Sequence, residues 1–205
     1  MQLFGTDGIR GLAIDNMKAD KSAITAFVEN REFSCGLLRL VGEALGVFLR
    51  EPQKTRPLVI IGWDDRPLNP VLVKSLTLGL HLSGTEVCWA GEISTPCLHS
   101  TLLNSNADAG CMITASHNPI EDSGIKLFDC NGYKSMPKDE IEIEKLIEQL
   151  ASEEREVDIP LIEEFSEPDQ QITDSLEKYR SLLLQRFGCF VETFGGGKQN
   201  IEHSL

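Results

Sequence analysis

Four short runs along the chain are mostly apolar and are bounded by turn-forming residues. They cover residues 57–62, 85–90, 107–113 and 124–128. Runs of this length are typical of strands buried on both faces of a sheet, where apolar residues follow one another without strict alternation. The pattern therefore predicts four core strands.

Apolar residues with helical spacing fill most of the intervals between these runs. Residues 12–34 show no clear period, and we interpret them as a loop with at most a short helix. Elsewhere the spacing predicts helices over residues 35–50, 71–83, 94–102, 137–150 and 174–187. We expect the first of these to bury Leu38, Val41, Leu45 and Phe48, and the fourth to bury Ile141, Leu146, Ile147 and Leu150.

The alternation of strands and helices indicates an α/β fold, with a mainly parallel mixed sheet in a three-layer α/β/α domain. We expect this domain to span residues 1–150. Residues 152–171 are acidic and contain Pro160 and Pro168, as a linker would. Residues 151–205 are therefore predicted to form an acidic linker, a C-terminal helix and a tail.

Charge is distributed unevenly along the 205 residues. The net charge is −13, with 17 acidic and 7 basic side chains in residues 136–205 against 15 and 12 in residues 1–135. An acidic chain lacks the basic footprint of a general nucleic-acid-binding protein, so we expect no nucleic-acid partner. The nearly balanced first part is better suited to an anionic ligand.

Cysteine spacing and apolar run length indicate the class of protein. None of the six cysteines forms a Cys-x-x-Cys pair, and Cys88 and Cys111 lie in apolar runs typical of buried, reduced thiols. The longest apolar runs are much shorter than a membrane span, and the first residues do not resemble a signal peptide. We therefore expect a cytoplasmic protein that does not bind membranes.

Polar side chains follow the third apolar run, where Thr114 to Pro119 reads Thr-Ala-Ser-His-Asn-Pro. Ligands of open α/β sheets bind at such carboxyl ends of strands, and Ser116 is the candidate reactive group. His117 is a poor base for it, because adjacent side chains of an extended chain point to opposite faces. A hairpin would instead bring the Lys126 ammonium close. The alternative is a polar turn with an exposed serine and a solvated lysine.

Two further segments contain arginines in loops. Gly5, Gly8 and Gly11 surround Arg10, which suits either a phosphate-binding loop or a structural turn. Asp64 and Arg66 follow the first apolar run, and we interpret this pair as a scaffold for a loop more than as a ligand contact.

Together these motifs resemble a known family. Thr-Ala-Ser-His-Asn-Pro at 114–119, Gly-Ile-Lys at 124–126 and Gly-Tyr-Lys at 132–134 are similar to the phosphoserine loop of the α-D-phosphohexomutases. The opening Phe-Gly-Thr-Asp-Gly-Ile-Arg-Gly at 4–11 is similar to the same family, in particular to its bacterial phosphoglucosamine mutases. The chain departs from the family pattern at Trp63, where the family has arginine.

The resemblance implies a phosphoryl-transfer chemistry. It would make Ser116 a phosphorylated carrier that exchanges phosphate with a hexose or hexosamine phosphate through a hexose 1,6-bisphosphate. It would also imply Mg²⁺, held by Ser116 through its phosphate, with the remaining ligands in a second domain whose Asp-rich loop has no counterpart in this sequence. The other residues assigned by resemblance are Lys126, His117 and Arg10 as catalytic groups, and Arg10, Thr114 and Asn118 as phosphate or substrate contacts.

Several interpretations of the function remain open. The first is a phosphoglucosamine mutase, here its N-terminal fragment, which we expect to turn over slowly or not at all alone. A phosphomannomutase or phosphoglucomutase is the alternative within the family, and a non-catalytic truncated remnant is the alternative of another class. A serine hydrolase is disfavoured, because the sequence shows no Gly-x-Ser-x-Gly elbow.

Overall fold

A seven-stranded sheet forms the centre of the molecule. The computed structural model describes residues 2–50, 56–153 and 165–194. The strands of the sheet are β1 (Ile9–Ile14), β2 (Glu32–Ser34), β3 (Leu58–Trp63), β4 (Glu86–Glu92), β5 (Ala109–Ile113), β6 (Asp122–Asp129) and β7 (Gln170–Gln171). The helices are α1 (Asp20–Asn30), α2 (Cys35–Phe48), α3 (Asn69–Leu82), α4 (Thr95–Leu103), α5 (Pro137–Ser152) and α6 (Ser175–Phe194).

One strand runs against the others. The spatial order is β2-β1-β6-β5-β3-β4-β7, and β6 is antiparallel to both of its neighbours, β1 and β5. The remaining pairs are parallel. The mainly parallel mixed sheet is confirmed, and the β5–β6 hairpin places the loop between these strands beside the carboxyl end of β3.

Apolar side chains from successive residues of a strand enter two cores on opposite faces of the sheet. On β3, Val59 and Ile61 belong to the core beneath α1, α2, α3 and α5, whereas Ile60 belongs to the core beneath α4. Tyr179 of α6 packs against this second core. The three-layer α/β/α architecture is therefore confirmed.

The interpretation of residues 12–34 as a loop is wrong. The segment contains the end of β1, the 11-residue helix α1 and the short strand β2. β1 lies between β2 and β6, so its backbone hydrogen bonds come from partners about 20 and 110 residues away. Such partners leave no local period in the sequence.

Two other details differ from expectation. Ile141 is 55% exposed, and Ile143 takes its place on the inward face of α5 beside Ile147, which is buried as predicted. Most of the expected acidic linker lies outside the described residues. Its last part is ordered on the sheet, because β7 pairs with β4 and the Asp169 carboxylate accepts a hydrogen bond from the Val87 N–H at 2.8 Å.

Helices α2 and α3 pack with their backbones close together. A Cβ atom at Gly79 would lie 1.9 Å from the carbonyl oxygen of Arg39, so only glycine allows this approach. Arg39 is itself buried, and its guanidinium donates to the Glu43 carboxylate at 3.0 Å and to the Asp20 carboxylate. This ion triad joins the start of α1 to the middle of α2.

The cysteines of the predicted strands and the apolar character of the helices can now be described. Cys88 and Cys111 are buried free thiols, as predicted, and burial raises the pKa of the Cys111 thiol. Among the described helices, none combines the length and the apolar character that crossing a membrane requires.

Candidate active site

The loop that joins β5 to β6, residues 114–121, carries the candidate nucleophile. Ser116 is exposed and has φ of 56°, a left-handed conformation that side chains other than glycine rarely adopt. Its N–H donates to the Thr114 hydroxyl at 2.9 Å, and the Asn118 N–H donates to the Ala115 carbonyl at 3.1 Å. An observed strain of this kind is characteristic of functional sites.

Lys126 reaches the serine from the second strand of the hairpin. In the β5–β6 register it lies opposite Met112, and its ammonium donates to the Ser116 hydroxyl at 3.0 Å. Partial burial lowers the pKa of Lys126 below its ordinary value of 10.5, and the charges of Arg10 and Lys134 lower it further. The site therefore contains a clustered positive charge next to the hydroxyl.

Arg10 lies on β1, next to β6. Its guanidinium donates to the Asp7 carboxylate at 3.1 Å, and it has longer contacts with the side-chain oxygen of Asn118 (3.4 Å) and the Ala115 carbonyl (3.5 Å). Its Nε is buried without a hydrogen-bond partner in the described residues. Arg10 therefore lies beside the serine loop, with its terminal guanidinium nitrogens directed at Asp7, Asn118 and Ala115.

A second lysine connects two of the motif segments. The Lys134 ammonium donates to the main-chain carbonyl of Thr6 and lies 3.8 Å from the Glu140 carboxylate. This contact joins the glycine-rich opening of the chain to the turn after β6. The four segments that carry the family resemblance thus meet at one edge of the sheet.

The side chains of Thr114 and Asn118 both form hydrogen bonds with other residues of the protein. The buried Thr114 hydroxyl donates to the Asp64 carboxylate while it accepts from Ser116. The Asn118 amide nitrogen donates to the Asp122 carboxylate at 2.9 Å. Their side-chain contacts therefore lie within the protein.

His117 lies next to the serine with its side chain exposed. Among the residues that the structure describes, His117 makes no hydrogen bond, and the side chain that contacts the Ser116 hydroxyl is that of Lys126. The arrangement lacks the serine–histidine contact that a hydrolase would need to activate its nucleophile.

Sequence reasoning missed much of the network beneath the loop. The side chain of Asn69, at the start of α3, donates to the Asp64 carboxylate at 2.5 Å and accepts from the Ser123 hydroxyl at 2.6 Å. The Arg66 guanidinium is buried and contacts the Asp64 carboxylate at 3.4 Å. The Asp64–Arg66 pair, predicted to be a scaffold for a loop, does hold this loop, whereas the contacts of Asn69 and Ser123 had no signal in the sequence.

The described residues do not make a complete Mg²⁺ site. No group of three or more histidine, cysteine, aspartate or glutamate side chains in residues 2–50, 56–153 and 165–194 is arranged to hold a metal ion. Asp64 lies beneath the loop, but both of its oxygens already accept hydrogen bonds from Thr114, Arg66 and Asn69. Any metal at this loop would therefore need ligands from elsewhere.

Curated relatives are similar to much of this chain. A phosphoglucosamine mutase from Exiguobacterium sibiricum is 39% identical over 146 residues, which cover 71% of this chain and 29% of that protein. A phosphoglucosamine mutase from Limosilactobacillus fermentum is 35% identical over 209 aligned positions, which cover 100% of this chain and 43% of that protein. The chain thus spans less than half the length of these relatives.

Solved structures share the fold. A protein from Thermus thermophilus, assigned as a candidate phosphomannomutase, is 30% identical, with a TM-score of 0.57 over 70% of this chain and 29% of its own. A phosphoglucomutase/phosphomannomutase family protein from Burkholderia thailandensis, 23% identical, has the same TM-score over 72% of this chain and 30% of its own. Residues 1–154 match the family described as phosphoglucomutase/phosphomannomutase, alpha/beta/alpha domain I. The resemblance inferred from the motifs is confirmed, and the chain belongs to the phosphoglucomutase/phosphomannomutase family.

Proposed function

We propose that this chain is the phosphoserine-bearing part of a phosphohexomutase of the phosphoglucosamine mutase type. Such an enzyme interconverts 6-phospho and 1-phospho hexosamine through a phosphoserine and a bisphosphate intermediate. The observation that carries the proposal is the 3.0 Å contact between the Lys126 ammonium and the Ser116 hydroxyl, with the Arg10 guanidinium beside the same loop.

The proposed step is a phosphoryl exchange. The Ser116 oxygen forms a bond to one phosphorus of a hexose 1,6-bisphosphate as the bond from that phosphorus to the sugar oxygen breaks. The serine proton goes to the sugar oxygen, and a hexose monophosphate leaves. In the reverse direction the phosphoserine donates its phosphoryl group to a sugar hydroxyl at the other position.

The residues around Ser116 suit this chemistry. Phosphoryl-transfer transition states are stabilised mainly by positioning and by cations near the equatorial oxygens. Lys126 and Arg10 supply such cations, and we propose that the exposed His117 contacts the phosphate or the sugar. Thr114 and Asn118 would act through the shape of the loop, since their side chains already bond to Asp64 and Asp122.

The substrate is proposed from the relatives. The two curated relatives are phosphoglucosamine mutases, which favours a hexosamine phosphate; the family description and the Thermus thermophilus structure keep phosphomannose or phosphoglucose as the alternative. Mg²⁺ would supply further charge neutralisation at the phosphate. Because the described residues do not complete a site for it, we expect slow turnover by this chain alone.

Phosphopeptide mapping tests the proposal directly. The chain is incubated with Mg²⁺ and a hexose 1,6-bisphosphate, and its intact mass and tryptic peptides are measured beside those of Ser116→Ala. We expect one added phosphate, located on Ser116 and absent from the variant. A folded wild-type chain that takes up no phosphate, or takes it up elsewhere, would contradict the proposal and favour the non-catalytic remnant.

A further inference from the structure

A buried arginine lies directly beneath the serine loop. Arg66 is 6% exposed, and its guanidinium donates to main-chain carbonyls of the loop and of the start of β6. The acceptors are the carbonyl oxygens of Ser116 (2.9 Å), Asn118 (3.0 Å), Asp122 (2.8 Å) and Pro119. One cation thus holds four main-chain carbonyl groups.

The direction of these carbonyls decides what the loop presents to solvent. A peptide unit is planar and trans, so its N–H points opposite to its C=O. Because the Ser116 carbonyl points at Arg66, the N–H of His117 points away from Arg66, on the outer side of the loop. That N–H has no hydrogen-bond partner within the part of the chain that the structure describes.

The backbone of Ser116 is fixed on both sides. Its N–H is held by the Thr114 hydroxyl and its C=O by Arg66. Fixing the peptide planes before and after a residue fixes its two dihedral angles, and here it maintains the left-handed φ of 56°. Asp64 joins the two contacts, since its carboxylate accepts from both Thr114 and Arg66.

Lysine could not reproduce this arrangement. A guanidinium has five N–H donors in a planar fork, whereas an ammonium has three on a compact centre. Arg66 uses its donors on four carbonyls and one carboxylate.

We propose that Arg66 is a positioning residue, which turns the loop carbonyls inward so that the main-chain N–H of His117 binds the phosphate on Ser116. The proposal rests on the function proposed above. It adds a neutral main-chain donor to the two cations, Lys126 and Arg10, and it assigns the shape of the loop to one side chain. Arg66 itself does not touch the phosphate.

Arg66→Lys tests the proposal, because it keeps the charge and removes the fork. Arg56→Lys is the matched control, since the Arg56 side chain is 66% exposed and pairs with Asp169 at the far edge of the sheet. We expect Arg66→Lys to slow phosphorylation of Ser116 by roughly 10²-fold, the scale of a misplaced reacting group, and Arg56→Lys to leave it unchanged. Equal rates in the two variants would overturn the proposal.

An NMR measurement separates positioning from general stability. In the wild-type chain we expect the His117 amide proton to move downfield when Ser116 is phosphorylated, as an amide that gains a charged acceptor does. The Asn118 amide, which already donates to Ala115, should move little. In Arg66→Lys, phosphorylated by longer incubation, the His117 shift should be lost.

The wild-type spectrum decides the matter even if Arg66→Lys does not fold. An unshifted His117 amide in a chain that carries phosphate on Ser116 would overturn this inference and leave the proposed function standing. A wild-type chain that accepts no phosphate at all would instead overturn the proposed function.

Discussion

Two regions of the molecule contain a buried arginine, and they use it differently. In the helical layer Arg39 donates to two carboxylates, those of Asp20 and Glu43. In the serine loop Arg66 donates mainly to carbonyl oxygens, with one longer contact to Asp64. The first arginine joins side chains, and the second holds a main chain.

The difference follows from whether the main-chain carbonyls of each region already accept hydrogen bonds. Inside α1 and α2 the carbonyls accept helical hydrogen bonds, so only charged side chains remain for a buried cation to pair with. In the loop around Ser116 the carbonyls take no part in the regular hydrogen bonding of a helix or sheet. A buried carbonyl without a donor is costly in free energy. A buried charge therefore stabilises regular structure in one region and specifies irregular structure in the other.

The largest expected effect is on stability, and it comes from a substitution in the helical layer. Arg39→Leu leaves two buried carboxylates without their cation and should lower the free energy of unfolding by roughly 3–5 kcal/mol. Urea denaturation followed by circular dichroism measures this loss. Phosphorylation of Ser116 in the remaining folded fraction should be unchanged, and a selective loss of phosphorylation would break the division between the two regions.

Lys126→Met provides the reciprocal test in the serine region. Removing a donor that stabilises transferring charge costs about 10²–10³-fold in rate, so phosphorylation of Ser116 by a hexose 1,6-bisphosphate should slow by that factor. Lys126→Arg should retain more of the rate, since it keeps a cation. The urea midpoint of Lys126→Met should stay close to that of the wild type. A large loss of stability would mean that this lysine also has a structural role.

The pH dependence of phosphorylation should sharpen the same contrast. Burial and the charges of Arg10 and Lys134 lower the pKa of Lys126, so its charge is lost at lower pH than the ordinary 10.5. The rate should fall as pH rises through this lowered pKa, and Lys126→Arg should remove the fall. The contribution of Lys126 to the free energy of unfolding changes with pH in the opposite direction. The unfolded chain binds the lysine proton more tightly, so this contribution rises with pH between the folded-state and unfolded-state pKa values. A wild-type rate that is flat up to pH 10.5 would contradict the prediction.

The smallest expected effect concerns the backbone strain at Ser116. Glycine adopts positive φ freely, whereas alanine does not, so Ser116→Gly should be more stable than Ser116→Ala by roughly 1 kcal/mol. Thermal unfolding of the two variants compares them directly, and neither can be phosphorylated at this position. Equal stabilities would show that the loop relaxes once the serine hydroxyl is removed.

Much of the fold could be predicted because its strongest elements have local patterns. The runs around Val59 and Cys111 are uninterrupted apolar segments, and the helices between them are amphipathic. β1 was missed because it is partly exposed, with Leu12 44% exposed, and β2 because it has only three residues. β1 joins the sheet through β6, which is distant in sequence, and β2 joins it only through β1.

The site could be predicted only in part, for a similar reason. The ten-residue separation of Ser116 and Lys126 across a turn suggests a hairpin, and the structure contains one. The direction of the carbonyls around Arg66 has no signature in side-chain patterns. The role of Asn69 is hidden as well, since an asparagine before a proline at the start of a helix is typical of an ordinary turn.

The antiparallel direction of β6 also determines when the site forms as the chain folds. Ser116 and Lys126 belong to one hairpin, a local contact that closes early and at little entropic cost. Arg66 and Arg10 come from about 50 and 106 residues away and arrive only when β3 and β1 have joined the sheet. A partly folded chain would therefore hold the proposed nucleophile and Lys126 without the arginine that we propose shapes the loop, and phosphate acceptance would report completion of the sheet.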